Sequence, residues 1–147
     1  MDNQSIGFSV FCDGGARGNP GPAASAYVIL DDKDNVIYSH GNYLGHTTNN
    51  IAEYHAVLNS LLWLETHSYL NESCKEVRYY LDSLLVVNQI KGIYKVKNVD
   101  LKKINSEIRF KIEKYKFIKF ILEYIPRAKN SLADSLVNET LDHCLEI

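Results

Sequence analysis

Residues 8–44, FSVFCDGGARGNPGPAASAYVILDDKDNVIYSHGNYL, decide the architecture. Phe8 to Cys12 is a short apolar run ended by the glycine-rich Asp13-Gly14-Gly15. Ala23 to Leu30 is a second run, closed by the charged turn Asp31 to Asn35. Val36 to Leu44 then reads as the return strand of a hairpin. Three consecutive strands therefore open the chain, and such strands can pair antiparallel.

Downstream the period changes. Ile51, Tyr54, Leu58, Leu61 and Leu62 recur at helical spacing from Asn50 to about His67. Val77, Tyr79 and Leu81 alternate with Arg78 and Tyr80 as a fourth strand, and Leu84 to Ile90 makes a short helix stopped near Gly92. Lys102 to Tyr115 reads as another helix. Ile118 to Ile125 is a last apolar strand broken by Pro126, and Ser131 to about His143 is a closing helix. Strands joined through helices run parallel to a neighbour by the right-handed crossover rule. The expected fold is α/β: a five-stranded mixed sheet, three antiparallel strands then parallel ones, flanked by helices. No low-complexity tract, repeat or linker divides it, so residues 1–147 are expected to form a single domain.

With 147 residues, 46% of them hydrophobic, the chain can bury a core without staples. No apolar run approaches the roughly 20 residues that a bilayer demands, and the polar stretch Met1 to Gly7 is unlike an export signal. A cytoplasmic monomer with no membrane association is expected, and the starting methionine fits a free-standing protein. Cys12, Cys74 and Cys144 are scattered and lack CxxC spacing, which reads as reduced thiols with a Cys74 to Cys144 bridge left open. The net charge of −2 would not by itself point to nucleic acid. The lysines, however, cluster from Lys91 to Lys119, and local charge outweighs the sum.

Four acids stand out, and each has an ordinary explanation when taken singly. Asp13 before two glycines can initiate a turn. Asn50-x-x-Glu53 and Ser131-x-x-Asp134 have capping-box spacing, and Asp82 can cap the helix behind it. Together they point elsewhere. Aspartates at the carboxyl ends of adjacent parallel strands lie about 5 Å apart, where open sheets bind ligands. Bare carboxylates so close repel, and a divalent cation removes that penalty. Hard oxygen ligands select Mg²⁺ or Mn²⁺ over zinc. Two ions roughly 4 Å apart can activate water on one side of a phosphate and hold the departing oxygen on the other. That is a nuclease arrangement.

The motifs around these acids resemble the type 1 ribonucleases H, over Phe8 to Leu141. Cys12 to Pro22 is similar to the family's first-strand signature, and Thr48-Asn49-Asn50-Ile51-Ala52-Glu53 to its first-helix signature. Leu81-Asp82-Ser83 matches the third acidic position, and Pro126 to Asp134 the fourth. The resemblance implies metal-dependent endonucleolytic cleavage of the RNA strand of RNA/DNA hybrids, giving 5′-phosphate and 3′-hydroxyl ends. Asp13, Glu53, Asp82 and Asp134 would be catalytic ligands of two Mg²⁺ or Mn²⁺ ions, with Asp13 bridging both and Glu53 sensing the 2′-hydroxyl. No small-molecule cofactor is implied. The amides of Gly14 and Gly15 and the side chains of Asn19 and Asn50 would grip RNA, while Thr48 and Asn49 would meet the DNA strand. Little base preference follows from such backbone reading.

Two features depart from the family pattern. A flexible histidine is common in the loop before the last aspartate, whereas this shorter loop carries Arg127, a fixed cation able to stabilise phosphate charge. Activity on duplex RNA is a possible companion of that variant. The basic, tryptophan-bearing protrusion of larger members is absent, and Lys91 to Asn98 replaces it. Lys91, Lys95 and Lys97 are candidate phosphate contacts there, with Tyr94 as a stacking residue, although a plain solvated loop explains them nearly as well. Trp63 is expected to be partly buried in the core. Two competing readings are a silent hybrid-binding module and a nuclease for another substrate on the same scaffold. The intact quartet speaks against the first, because mutually repelling acids cost stability without metal.

Overall fold

A computed structural model describes residues 6–145. Strands β1 (Gly7–Ala16), β2 (Gly21–Leu30) and β3 (Val36–Thr47) are followed by helix α1 (Asn49–Thr66), strand β4 (Glu76–Leu81) and helices α2 (Leu84–Ile90) and α3 (Val99–Lys114). Strand β5 (Lys119–Tyr124), a 3₁₀ turn (Arg127–Lys129) and helix α4 (Ser131–Cys144) complete the order. The sheet runs β3-β2-β1-β4-β5, antiparallel through the first three strands and parallel across β1-β4 and β4-β5. This is the expected mixed sheet.

Three boundaries moved for physical reasons. β1 continues past Cys12 to Ala16, because Asp13 to Ala16 pair with Ala26 to Ala23 of β2. β3 likewise continues to Thr47. α3 begins at Val99, ahead of the first lysine pair, because the Asn98 side chain accepts a hydrogen bond from Leu101 N. Such an N-cap is worth about 1 kcal/mol.

Helices cover both sheet faces, which explains why Ala23 to Ile29 are buried without interruption. Tyr27 and Ile29 join the main core with α1, α3 and the inner residues of β1 and β4. Ala24 and Ala26, on the other face, pack against Val137 and Leu141 of α4. A buried polar network locks the helices together. The Tyr54 hydroxyl donates to Gln89 Oε1 at 2.8 Å, and Asn105 Nδ2 donates to the Tyr54 hydroxyl at 3.3 Å and to the Gln89 carbonyl at 3.2 Å. Tyr54 adjoins Glu53, so this network fixes the rotation of α1 about its own axis.

Trp63 is half-buried and stacked on Tyr38, with ring centroids 4.4 Å apart, as the sequence led us to expect. The three cysteines are unpaired. Among the described residues no helix is long and apolar enough to cross a membrane.

Candidate active site

The parallel pairing of β1 with β4 ends at Phe11 and Tyr80. Two residues further along the chain stand Asp13, still within β1, and Asp82, just past the end of β4, side by side at the carboxyl edge of the parallel pair. Glu53 reaches them because α1 lies directly on β1. A Cβ at Gly14 would fall 2.7 Å from the Ala52 carbonyl oxygen and closer still to Ala52 C and Glu53 N. Only glycine permits that approach of two backbones. One ligand oxygen from each of Asp13, Glu53 and Asp82 lies within 4.8 Å of the others. Asp134, in the first turn of α4, lines the same cleft and its charge bears on Asp13, but its oxygens are not among the three sets that meet.

None of the structural jobs that would explain these acids away is theirs. The N-cap of α1 is Thr48, whose Oγ1 accepts from Ile51 N at 3.2 Å, so Glu53 closes no capping box. Ser83, not Asp82, caps α2 by accepting from Val86 N. α4 has no side-chain cap bond at all, which removes the capping role for Asp134. Asp13 lies within a paired strand rather than in a turn.

The carboxylates line a cleft of about 480 Å³ together with Asn49 and Arg127. Burial, followed by the neighbouring Asp82 charge, pushes the Asp13 carboxyl well above the usual carboxylate range. Glu53 is raised to about 8, first by burial and then by Asp13 and Asp82, with the Arg127 cation opposing. Repulsion of this kind is relieved by a hard divalent cation, and an all-carboxylate donor set suits one.

The residues expected to touch nucleic acid divide. Gly14, Gly15 and Asn49 line the cleft, whereas Asn19, Thr48 and Asn50 do not. Asn19 and Asn49 also serve the fold: Asn19 Oδ1 accepts from Asn49 N at 3.0 Å, and Asn49 Oδ1 accepts from Ala16 N at 2.7 Å. These bonds tie the glycine-rich loop to the start of α1 and leave both amide nitrogens as donors. Lys91, Lys95 and Lys97 are exposed on the α2–α3 connection, outside the cleft, and Lys91 borders a separate groove beside Arg109 and Glu113. Tyr94 is exposed on the same connection.

Sequence reasoning missed Asn130. It is buried behind the acids, donating to the Cys12 carbonyl at 2.8 Å and to Asp82 Oδ2 at 2.9 Å. Its place four residues before Asp134 was the one available signal.

A family profile described as reverse transcriptase-like matches residues 11–140. The chain is 36% identical over 131 residues to a bifunctional protein of Mycobacterium tuberculosis, covering 88% of this chain and 34% of that protein. It is 32% identical over 132 residues to ribonuclease HI of Halobacterium salinarum, covering 90% of this chain and 63% of the relative. It thus spans about a third of the length of the mycobacterial relative. The crystal structure of LC11-RNase H1 in complex with RNA/DNA hybrid superposes with a TM-score of 0.86 at 39% identity, covering 94% of this chain and 99% of that one.

Proposed function

The chain belongs to the type 1 ribonuclease H family, and on that premise we propose that it is an endonuclease hydrolysing the RNA strand of RNA/DNA hybrids. The products would carry 5′-phosphate and 3′-hydroxyl ends. The observation that carries this reading is the convergence of Asp13, Glu53 and Asp82 within 4.8 Å, in a cleft that Asp134 also lines. Its support from similarity is a hybrid-bound relative of nearly the same length.

Asp13, Glu53, Asp82 and Asp134 would hold the metal, two ions of Mg²⁺ or Mn²⁺, since every donor is a carboxylate oxygen. When bound, such ions supply the charge neutralisation and water activation that phosphodiester hydrolysis requires. The protein's own contribution is positional. Gly14 sets the distance of Glu53 from Asp13, and the network through Tyr54 keeps α1 from rolling. Arg127 places a permanent cation on the cleft wall near Glu53, where phosphate charge develops. The free amide nitrogens of Asn19 and Asn49 offer neutral donors to a nucleic-acid backbone, and Gly14 and Gly15 line the cleft with no side chain to keep that backbone away. Lys91, Lys95 and Lys97 would meet phosphates further along the duplex.

Cleavage of labelled hybrid, duplex RNA and duplex DNA of one sequence tests this reading. Metal-dependent cutting of the RNA of the hybrid, with duplex RNA cut far more slowly and duplex DNA left intact, is expected. Cutting of duplex DNA, or binding of hybrid without cutting, would contradict it.

A further inference from the structure

We propose that Asn130 is a positioning residue that orients Asp82 and holds the ends of β1 and β4 in register for metal binding; this rests on the active-site reading above. Asn130 is 1% exposed. Both hydrogens of its amide nitrogen are spent on the site, one on the Cys12 carbonyl next to Asp13 and one on Asp82 Oδ2. The amide cannot turn over, because Oδ1 would then face a carbonyl and a carboxylate, neither of which donates.

The same residue's backbone anchors the other half of the site. Its N–H donates to the Arg127 carbonyl at 2.9 Å, and its carbonyl accepts from Asp134 N at 3.0 Å. One residue therefore bonds to Asp82 and Asp134 directly, to Arg127 through the turn, and to Asp13 through the preceding peptide.

The buried Oδ1 points to function over packing. It has no hydrogen-bond partner among the described residues. A half-satisfied amide is a poor way to fill a core, and an aliphatic side chain of the same shape would avoid the unpaired acceptor. What the amide alone provides is a pair of neutral donors. A neutral donor orients the Asp82 carboxylate without a positive charge, which would compete with a cation for it. Metal-site ligands held by such outer bonds typically lose 10–100-fold in affinity when the bond is removed, roughly the effect expected here.

Asn130→Leu keeps the shape and removes the donors, and Asn130→Ala serves should the leucine not fit. Ile108→Ala, a buried change in α3 remote from the cleft, is the control for general destabilisation. Mn²⁺ affinity is read by electron paramagnetic resonance, melting temperature is read in chelator, and kcat and KM are read on hybrid. We expect folded Asn130 variants whose Mn²⁺ Kd rises about 10–100-fold. Their kcat should fall and partly recover at high metal, with KM for hybrid nearly unchanged, whereas Ile108→Ala lowers the melting temperature and keeps wild-type Kd. Asn130 variants with wild-type Mn²⁺ Kd would overturn the inference alone. A wild-type protein that binds no Mn²⁺ would instead overturn the active-site reading beneath it.

Discussion

Replacing Gly14 with alanine adds one methyl group at the point where α1 rests on β1. The new carbon would sit 2.7 Å from the Ala52 carbonyl oxygen, whereas ordinary van der Waals contact begins near 3.4 Å, and two further backbone atoms are closer. These obstacles are backbone, so no side chain can swing aside. Relief requires α1 to retreat from β1 by on the order of 1 Å, against the packing of Tyr54, Val57 and Leu61 in the main core. Overpacking of this kind costs about 1–3 kcal/mol, and a displacement of about 1 Å at a reacting centre can lower a rate about 100-fold. We therefore expect Gly14→Ala to fold with a reduced melting temperature and to cut hybrid about 100-fold more slowly. Gly45→Ala is the comparison: its φ is +80° and no atom lies within 4 Å of the added carbon, so it costs about 1 kcal/mol through backbone strain and spares the carboxylates. A Gly14→Ala protein with wild-type cleavage would refute the claim that this contact sets the Glu53 to Asp13 distance.

Glu53 titrates at about 8 in the metal-free fold against an ordinary value of 4.5, so the folded state holds its proton more tightly than the unfolded state. Its contribution to stability is fully present below pH 4.5 and is lost as pH rises through 8. Melting temperatures in chelator should fall across that window, and Glu53→Gln should flatten the decline; a flat wild-type profile would contradict the burial and charge repulsion described. Arg127→Ala removes the cation that opposes this shift, so carbon-13 NMR titration should find Glu53 higher still, and hybrid kcat should drop about 10-fold at this open position. The triple change of Lys91, Lys95 and Lys97 to alanine should raise KM with kcat nearly constant. It should also flatten the salt dependence by roughly 0.9 in log-log slope per lost phosphate contact, as binding titrations at several salt concentrations would read.

The sheet was legible because its signals are local. Apolar runs of strand length are separated by a turn in which Asp31 Oδ1 accepts from both Lys33 N and Asn35 N at 2.9 Å. The four acids were legible by motif, and their meeting at the carboxyl edge followed from parallel pairing. What stayed hidden depends on contacts between residues far apart in the chain. Pairing carries β1 through two glycines that have no side-chain pattern, and a single asparagine cap starts α3 inside a polar stretch. Asn130 is separated from Cys12 by 118 residues and from Asp82 by 48, so no periodicity could reveal its bonds to them. The capping-box spacings around Glu53 and Asp134 offered a structural alternative that the fold does not use. The local pattern was present, but Thr48 takes the cap of α1 and α4 uses no side-chain cap. Lys91, Lys95 and Lys97 lie outside the acidic cleft, on the α2–α3 connection where their sequence places them.

We propose that Asp13, Glu53 and Asp82, with Asp134 on the same cleft, form a metal-dependent hydrolytic site. Its most direct test is cleavage of a labelled RNA/DNA hybrid by wild-type protein and Asp13→Asn, in Mg²⁺, in Mn²⁺ and in chelator, with the metal-free melting temperature recorded for both. Asp13→Asn removes one buried charge from a repelling group while keeping size, so it should abolish cutting in either metal and melt no lower than wild type at pH 8 in chelator. Cleavage by a folded Asp13→Asn at the wild-type rate, or wild-type cleavage that persists in chelator, would contradict the account.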